Sequence, residues 1–188
     1  MPMIRAFLAI RPTDDVIGRL TEVQSELSES GADVRWVSPE TLHLTIQFLG
    51  EIRESEVPEI ERGLQQGLST LASFEIECRG LGVFPNQKRP RVVWVGLHGA
   101  GIALLAERVE IVLSPLGFPP EERELKPHIT LGRLRSARGW EALVRLLKAN
   151  GDRSFGVSRI DHITLYRSQL RPEGAVYTPL VKFPLADG

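Results

Sequence analysis

The strongest constraint on this chain is a pattern that occurs twice in equivalent surroundings. HLTI at 43–46 and HITL at 128–131 each place a histidine and a threonine two positions apart, each followed by an aliphatic residue. Side chains alternate faces along a strand with a period of two. His43 and Thr45 therefore share one face of a strand, and Leu44 and Ile46 the other. His128 and Thr130 divide from Ile129 and Leu131 in the same way. The aliphatic pair anchors each strand in a core, and the polar pair projects where an imidazole and a hydroxyl can approach one ligand.

The flanking segments repeat as well. Residues 4–10 are short and apolar and predict a strand. Residues 13–30 predict a helix, with Thr13 as its cap and Val16, Leu20, Val23 and Leu27 at helical spacing. Residues 42–50 predict the first H-x-T strand, 53–71 a second helix and 73–84 a strand. The order then recurs: a strand at 92–97, a helix at 100–116, the second H-x-T strand at 128–134, a helix at 138–150 with Gly151 as C-cap, and an extended stretch at 154–168. A final strand is expected at 177–185. Each half thus reads strand, helix, H-x-T strand, helix, strand, which predicts a structural duplication within one domain of residues 1–188, in lobes of roughly 1–90 and 91–188.

A phosphate suits the paired motif. The hydroxyl donates a hydrogen bond to a non-bridging oxygen, and the imidazole moves a proton. In-line displacement at phosphorus needs a base for the attacking group and an acid for the leaving oxygen. Two histidines with ordinary pKa values of about 6.5 can divide those tasks near neutral pH. No metal is required, and no ligand spacing announces one.

A third copy, HITL at 162–165, has the same local geometry. His43 and His128 fall on the third element of their halves, whereas His162 falls on the fifth. Its first-half counterpart, SFEIECRGL, has no histidine. His162 and Thr164 are therefore read as a strand position outside the catalytic pair. His98, in GLHGAG, reads as a turn or helix-entry residue.

Composition excludes several classes. Among 188 residues, 23 are Lys or Arg and 24 are Asp or Glu, for a net charge of −1. That argues against coating long nucleic acid through many phosphate contacts, but allows a local basic pocket. Cys78 is the single cysteine, so an intrachain disulfide or thiolate metal cluster is ruled out, and the residue reads as a small buried hydrophobe. The N-terminal apolar run is too short for a signal segment and is interrupted by Arg5. A cytoplasmic location is the default expectation.

The chain resembles the RNA 2′,3′-cyclic phosphodiesterase family, also called the 2′-5′ RNA ligase family, within the two-histidine phosphoesterases. The matching stretches are RAFLAI near the start, RWVSPETLHLTIQFLGEI at 35–52, GLGVFPNQKRPRVVWVG at 80–96, KPHITLGRLR at 126–135 and ITLYRSQLRPEGAVYTPL at 163–180. The resemblance implies a bilobal α+β fold, with two antiparallel-rich sheets and outer helices around a cleft that holds both motifs. It implies hydrolysis of the terminal 2′,3′-cyclic phosphate of RNA, tRNA fragments included, to a 2′-phosphate. It further implies 2′-5′ joining of RNA ends without ATP, and neither cofactor nor metal; a monomer is expected. Carried onto this chain, His43 is the proton donor, His128 the proton acceptor, and Thr45 and Thr130 hold the phosphate oxygens.

Arg133 follows the second motif, where the family often has arginine. A guanidinium there would stabilise charge developing on the phosphate. Strict alternation puts Arg133 on the face opposite His128, so it reaches the site only if Gly132 permits a bulge or the strand ends. Lys88, Arg89, Arg91, Arg167 and Arg171 are candidates to guide an RNA strand or simply solvated surface. Trp36, Trp94 and Trp140 read as core residues. Rival readings are the same site acting on a cyclic nucleotide or an ADP-ribose cyclic phosphate, a non-catalytic module that binds RNA ends, and a metal site built from His43, His128 and His162.

Overall fold

A computed structural model of the chain describes residues 2–120, 125–172 and 174–187. Strand β1 (Met3–Ile10) turns Ile4, Ala6, Leu8 and Ile10 into the core. Helix α1 (Asp14–Ser28) follows, and the four apolar residues predicted for its inner face, Val16, Leu20, Val23 and Leu27, are all fully buried. Each such side chain contributes about 1.5–3 kcal/mol. Thr13 stands at the N-cap position but makes no capping bond through its side chain. Its backbone N–H donates instead to Ser158 Oγ (2.6 Å), whose hydroxyl donates back to Thr13 Oγ1 (3.1 Å).

The remaining elements are β2 (Val34–Trp36), β3 (Leu44–Arg53), α2 (Val57–Leu68), β4 (Phe74–Phe84), β5 (Val92–His98), α3 (Ala100–Leu113), β6 (His128–Leu134), α4 (Trp140–Ala149), β7 (Ser154–Ile160), β8 (His162–Arg171) and β9 (Gly174–Pro184). They form a four-stranded sheet in the order β3-β1-β8-β9 and a five-stranded sheet in the order β2-β6-β5-β4-β7. Adjacent strands run antiparallel throughout. Helix α1 packs on β7 and α4 on β4, while α2 and α3 pack on each other and against β9 and β3. One continuous apolar core joins all of these layers. The expected α+β architecture of two antiparallel sheets with outer helices is what the chain adopts. No described helix is long and apolar enough to cross a membrane.

With the short β2 set aside, the first half runs β1-α1-β3-α2-β4 and the second β5-α3-β6-α4-β7. Neither sheet belongs to one half of the sequence, however. β1 and β3 pair with β8 and β9, and β2 and β4 pair with β5, β6 and β7.

Three local readings are corrected. The stretch 154–168 is two strands in different sheets, because the chain crosses over at Asp161. β2 is absent from the sequence reading, since three residues are too few to show alternation. The C-cap of helix α4 is Asn150, and Gly151, which donates to the Lys148 carbonyl (3.3 Å), does not take the left-handed conformation of a glycine cap.

Candidate active site

His43 lies immediately before β3, after a tight turn over Pro39–Thr41. That turn aims the Thr41 carbonyl at the ring, and His43 Nδ1–H donates to it at 2.6 Å. A carbonyl can only accept, so Nδ1 carries the proton. In the neutral ring Nε2 is then the bare nitrogen, and it accepts from the Thr45 hydroxyl at 3.0 Å. His128 opens β6 in the same arrangement, with its Nδ1–H donating to the Lys126 carbonyl at 2.6 Å. Each motif histidine is therefore held by the carbonyl two residues before it, which leaves Nε2 as the nitrogen outside that bond.

Aromatic edges complete both mounts. Tyr177 meets the His43 ring at 5.2 Å and 88°, and Phe84 meets the His128 ring at 4.9 Å and 82°. Phe7 lies beside His43 at 5.1 Å and touches Phe48, Tyr166 and Tyr177 as well. Burial among these rings pushes His43 below the usual imidazole range, opposed by the Thr41 carbonyl, which favours the cation.

Strand register decides the position of Arg133. Across β5 and β6, His128 faces Gly96, Thr130 faces Trp94 and Arg133 faces Val92, with Leu131 left unpaired at an irregularity. Val92, Trp94 and Gly96 alternate along one face of β5, and cross-strand partners share a face. The bulge therefore returns Arg133 to the face of His128 and Thr130. Arg35 joins them, since it pairs with Arg133 across β2 and β6.

The two sheets meet over this face. Burial pushes the Tyr177 phenol up, while the charges of Arg133 and Arg5 pull it the other way. Tyr177, on the four-stranded sheet, thus touches the His43 ring and feels a guanidinium on the His128 strand. The Arg35 guanidinium comes within 3.2 Å of where a side chain on Gly174, at the β8–β9 turn, would begin. His43 and Thr45 therefore belong to the sheet that carries Tyr177, and His128, Thr130 and Arg133 to the sheet whose Arg133 charge acts on that phenol.

The third motif is built differently. His162 sits at the crossover between sheets, 39% exposed, and its Nδ1 pairs with the Asp161 carboxylate at 2.5 Å. That hydrogen bond holds Asp161 below the usual carboxylate range. Thr164 is buried at 2% exposure, unlike the half-buried Thr45 and Thr130. No group of three or more His, Cys, Asp or Glu side chains is placed to hold a metal ion among the described residues.

Comparison with known proteins gives the family of the chain. The sequence pattern of the LigT-like phosphoesterases matches residues 10–94 and 98–177. The chain belongs to the LigT-like phosphoesterase family. Two relatives, each named RNA 2′,3′-cyclic phosphodiesterase, are 38% identical in Aeropyrum pernix, over 91% of this chain and 97% of the relative, and 34% identical in Methanothermobacter thermautotrophicus, over 97% and 99%. A crystal structure of a protein from Thermus thermophilus shares the fold at a TM-score of 0.83 and 31% identity, covering 98% of this chain and 99% of that one. The crystal structure of E. coli LigT complexed with 3′-AMP, at 22% identity, shares the fold at 0.81 over 99% and 100%. Both HxTx motifs and Arg133 of this LigT-like chain fall inside the matched segments.

Sequence reasoning missed the Thr41 and Lys126 carbonyls, which any residue could supply, and the aromatic mounts Tyr177 and Phe84, which lie far from the motifs in sequence. It also misread Trp94. Trp36 and Trp140 pack on the core, but Trp94 stands outside it and lines an open groove beside His128.

Proposed function

We propose that this protein hydrolyses the 2′,3′-cyclic phosphate at the 3′ end of RNA to a 2′-phosphate, with His43 and His128 as acid and base and no metal. The matched mounting of two imidazoles, each with Nδ1–H tied to the carbonyl two residues before it, supports this reading.

With Nδ1 holding its hydrogen, the bare Nε2 of His128 takes a proton from water as the water oxygen bonds to phosphorus. The bond from phosphorus to the ribose 3′ oxygen breaks, and cationic His43 donates its Nε2 proton to that oxygen. The products are a 2′-phosphate and a free 3′-hydroxyl; His128 is left protonated and His43 neutral, and solvent exchange resets both. Thr45 and Thr130 donate to the non-bridging oxygens. Arg133 offsets the negative charge that grows on them. A 5′-hydroxyl in place of water would form a 2′-5′ bond by the same steps.

Product analysis on an oligoribonucleotide ending in a 2′,3′-cyclic phosphate, in the presence of EDTA, tests this. Formation of the 2′-monophosphate end is expected. A 3′-monophosphate product, or activity that EDTA removes and a divalent ion restores, overturns it.

A further inference from the structure

The groove beside His128 has no part in the steps above. It encloses about 910 Å³ and runs from His128 across β5 to β4 and the Gly151–Asp152 turn, enough for a nucleotide-sized ligand. Its floor is the Trp94 indole. Gly82 faces Trp94 across the strands, and a Cβ there would collide with the indole at Cζ2. A Cβ on Gly96 would fall 3.6 Å from Cζ3. The ring therefore lies flat across the sheet between two positions without side chains. Trp94 Nε1–H is buried with no hydrogen-bond partner among the described residues, so packing alone holds the indole there. Phe84, 5.1 Å from Trp94 and edge-on to His128, continues the aromatic surface up to the imidazole.

Charge on the walls is balanced. Arg79 and Lys126 are offset by Glu77 and Asp152, which suits a nucleoside joined by one phosphodiester better than a polyphosphate. Across the cleft Phe48, 57% exposed and packed on Phe7, offers an apolar surface on the His43 side, where the ribose oxygen departs. In a ribose the base leaves from C1′ and the 5′ chain from C4′, the two carbons that flank the ring oxygen, so they extend toward opposite ends of the sugar. A terminal base placed toward Phe48 thus sends the RNA chain the other way, toward Trp94.

We infer that this groove binds the nucleotide preceding the cyclic phosphate, its base stacked on Trp94, and so selects an RNA end over a free cyclic mononucleotide. The inference rests on the hydrolytic reading above and names its substrate class. Base stacking on an aromatic side chain is worth about tenfold or more in binding.

The test compares kcat/KM for adenosine 2′,3′-cyclic phosphate with that for an ApA dinucleotide ending in the same group. The unmodified protein is expected to favour the dinucleotide by about tenfold or more. Trp94→Ala brings the ratio close to one, Trp94→Phe keeps most of it, and Arg79→Ala, at an exposed position, lowers it. A ratio near one in the unmodified protein, or one that Trp94→Ala and Arg79→Ala both leave unchanged, overturns the subsite. Turnover of the mononucleotide with no dinucleotide preference leaves the hydrolytic reading standing; turnover of neither overturns both.

Discussion

His128 donates its Nδ1–H to the carbonyl of Lys126 at 2.6 Å, the same bond that His43 makes to Thr41. A backbone carbonyl fixes the tautomer whatever side chain its residue carries. Both rings are therefore expected to show protonated Nδ1 and pyridine-like Nε2 in ¹⁵N spectra above their pKa values. The opposite tautomer at either ring would remove the acid–base assignment.

Replacing either motif histidine separates catalysis from folding. His43→Ala and His128→Ala are each expected to lower kcat by about 10²–10⁴, the usual contribution of a positioned acid or base. His162→Ala, which releases only the exposed Asp161 pair, is expected to stay within about threefold on the scale of ordinary surface substitutions. Equal losses at all three positions would contradict the division of roles.

Burial pushes His43 below the usual imidazole range, and this has a sign in both rate and stability. The donor must carry its proton, and a bound anionic phosphate favours the cation. The basic limb of kcat/KM, which reports the free enzyme, should lie at lower pH than the basic limb of kcat. For stability, a folded pKa below the unfolded value of about 6.5 means the unfolded state binds more protons in between. The stabilisation is present above about pH 6.5 and is lost as pH falls toward the folded pKa. Thermal melts of wild type against His43→Gln across that window measure it.

The register that brings Arg133 onto the His128 face predicts a transition-state role. Arg133→Met is expected to lower kcat by about 10–10³-fold, comparable to losing an oxyanion donor, and Arg133→Lys to restore only part of it. A change in KM alone would make Arg133 a binding residue instead.

Cys78 is fully buried, and burial pushes its thiol up to about 12. Alkylation at pH 8 should therefore be negligible in the native protein and complete in denaturant. Rapid native labelling would show that β4 opens.

The parts of the candidate site that follow a period of two were legible in the sequence as shared faces: His43 with Thr45, His128 with Thr130, and the buried positions between them. The inner face of α1 was legible because four apolar residues at helical spacing have one way to be buried. Arg133 was not, because the unpaired Leu131 breaks the alternation on which such reading depends. The separate geometry of His162 depends on a crossover at Asp161 that leaves no local mark. Trp94 looked like core because its neighbours Val93 and Val95 are, yet Gly82 on the adjoining strand is what lets the indole lie open in the groove.

Because β1 and β3 are completed by β8 and β9, and β4 by β5 and β7, a cut near residue 90 leaves raw strand edges on both pieces. In fragments 1–90 and 91–188 produced apart, every strand but β3 and β9 would lose a partner, and only together could they rebuild the enzyme. The strand that carries His128 is thus flanked by β2 from the other half of the chain, and the ring of His43 by Tyr177 from near its far end.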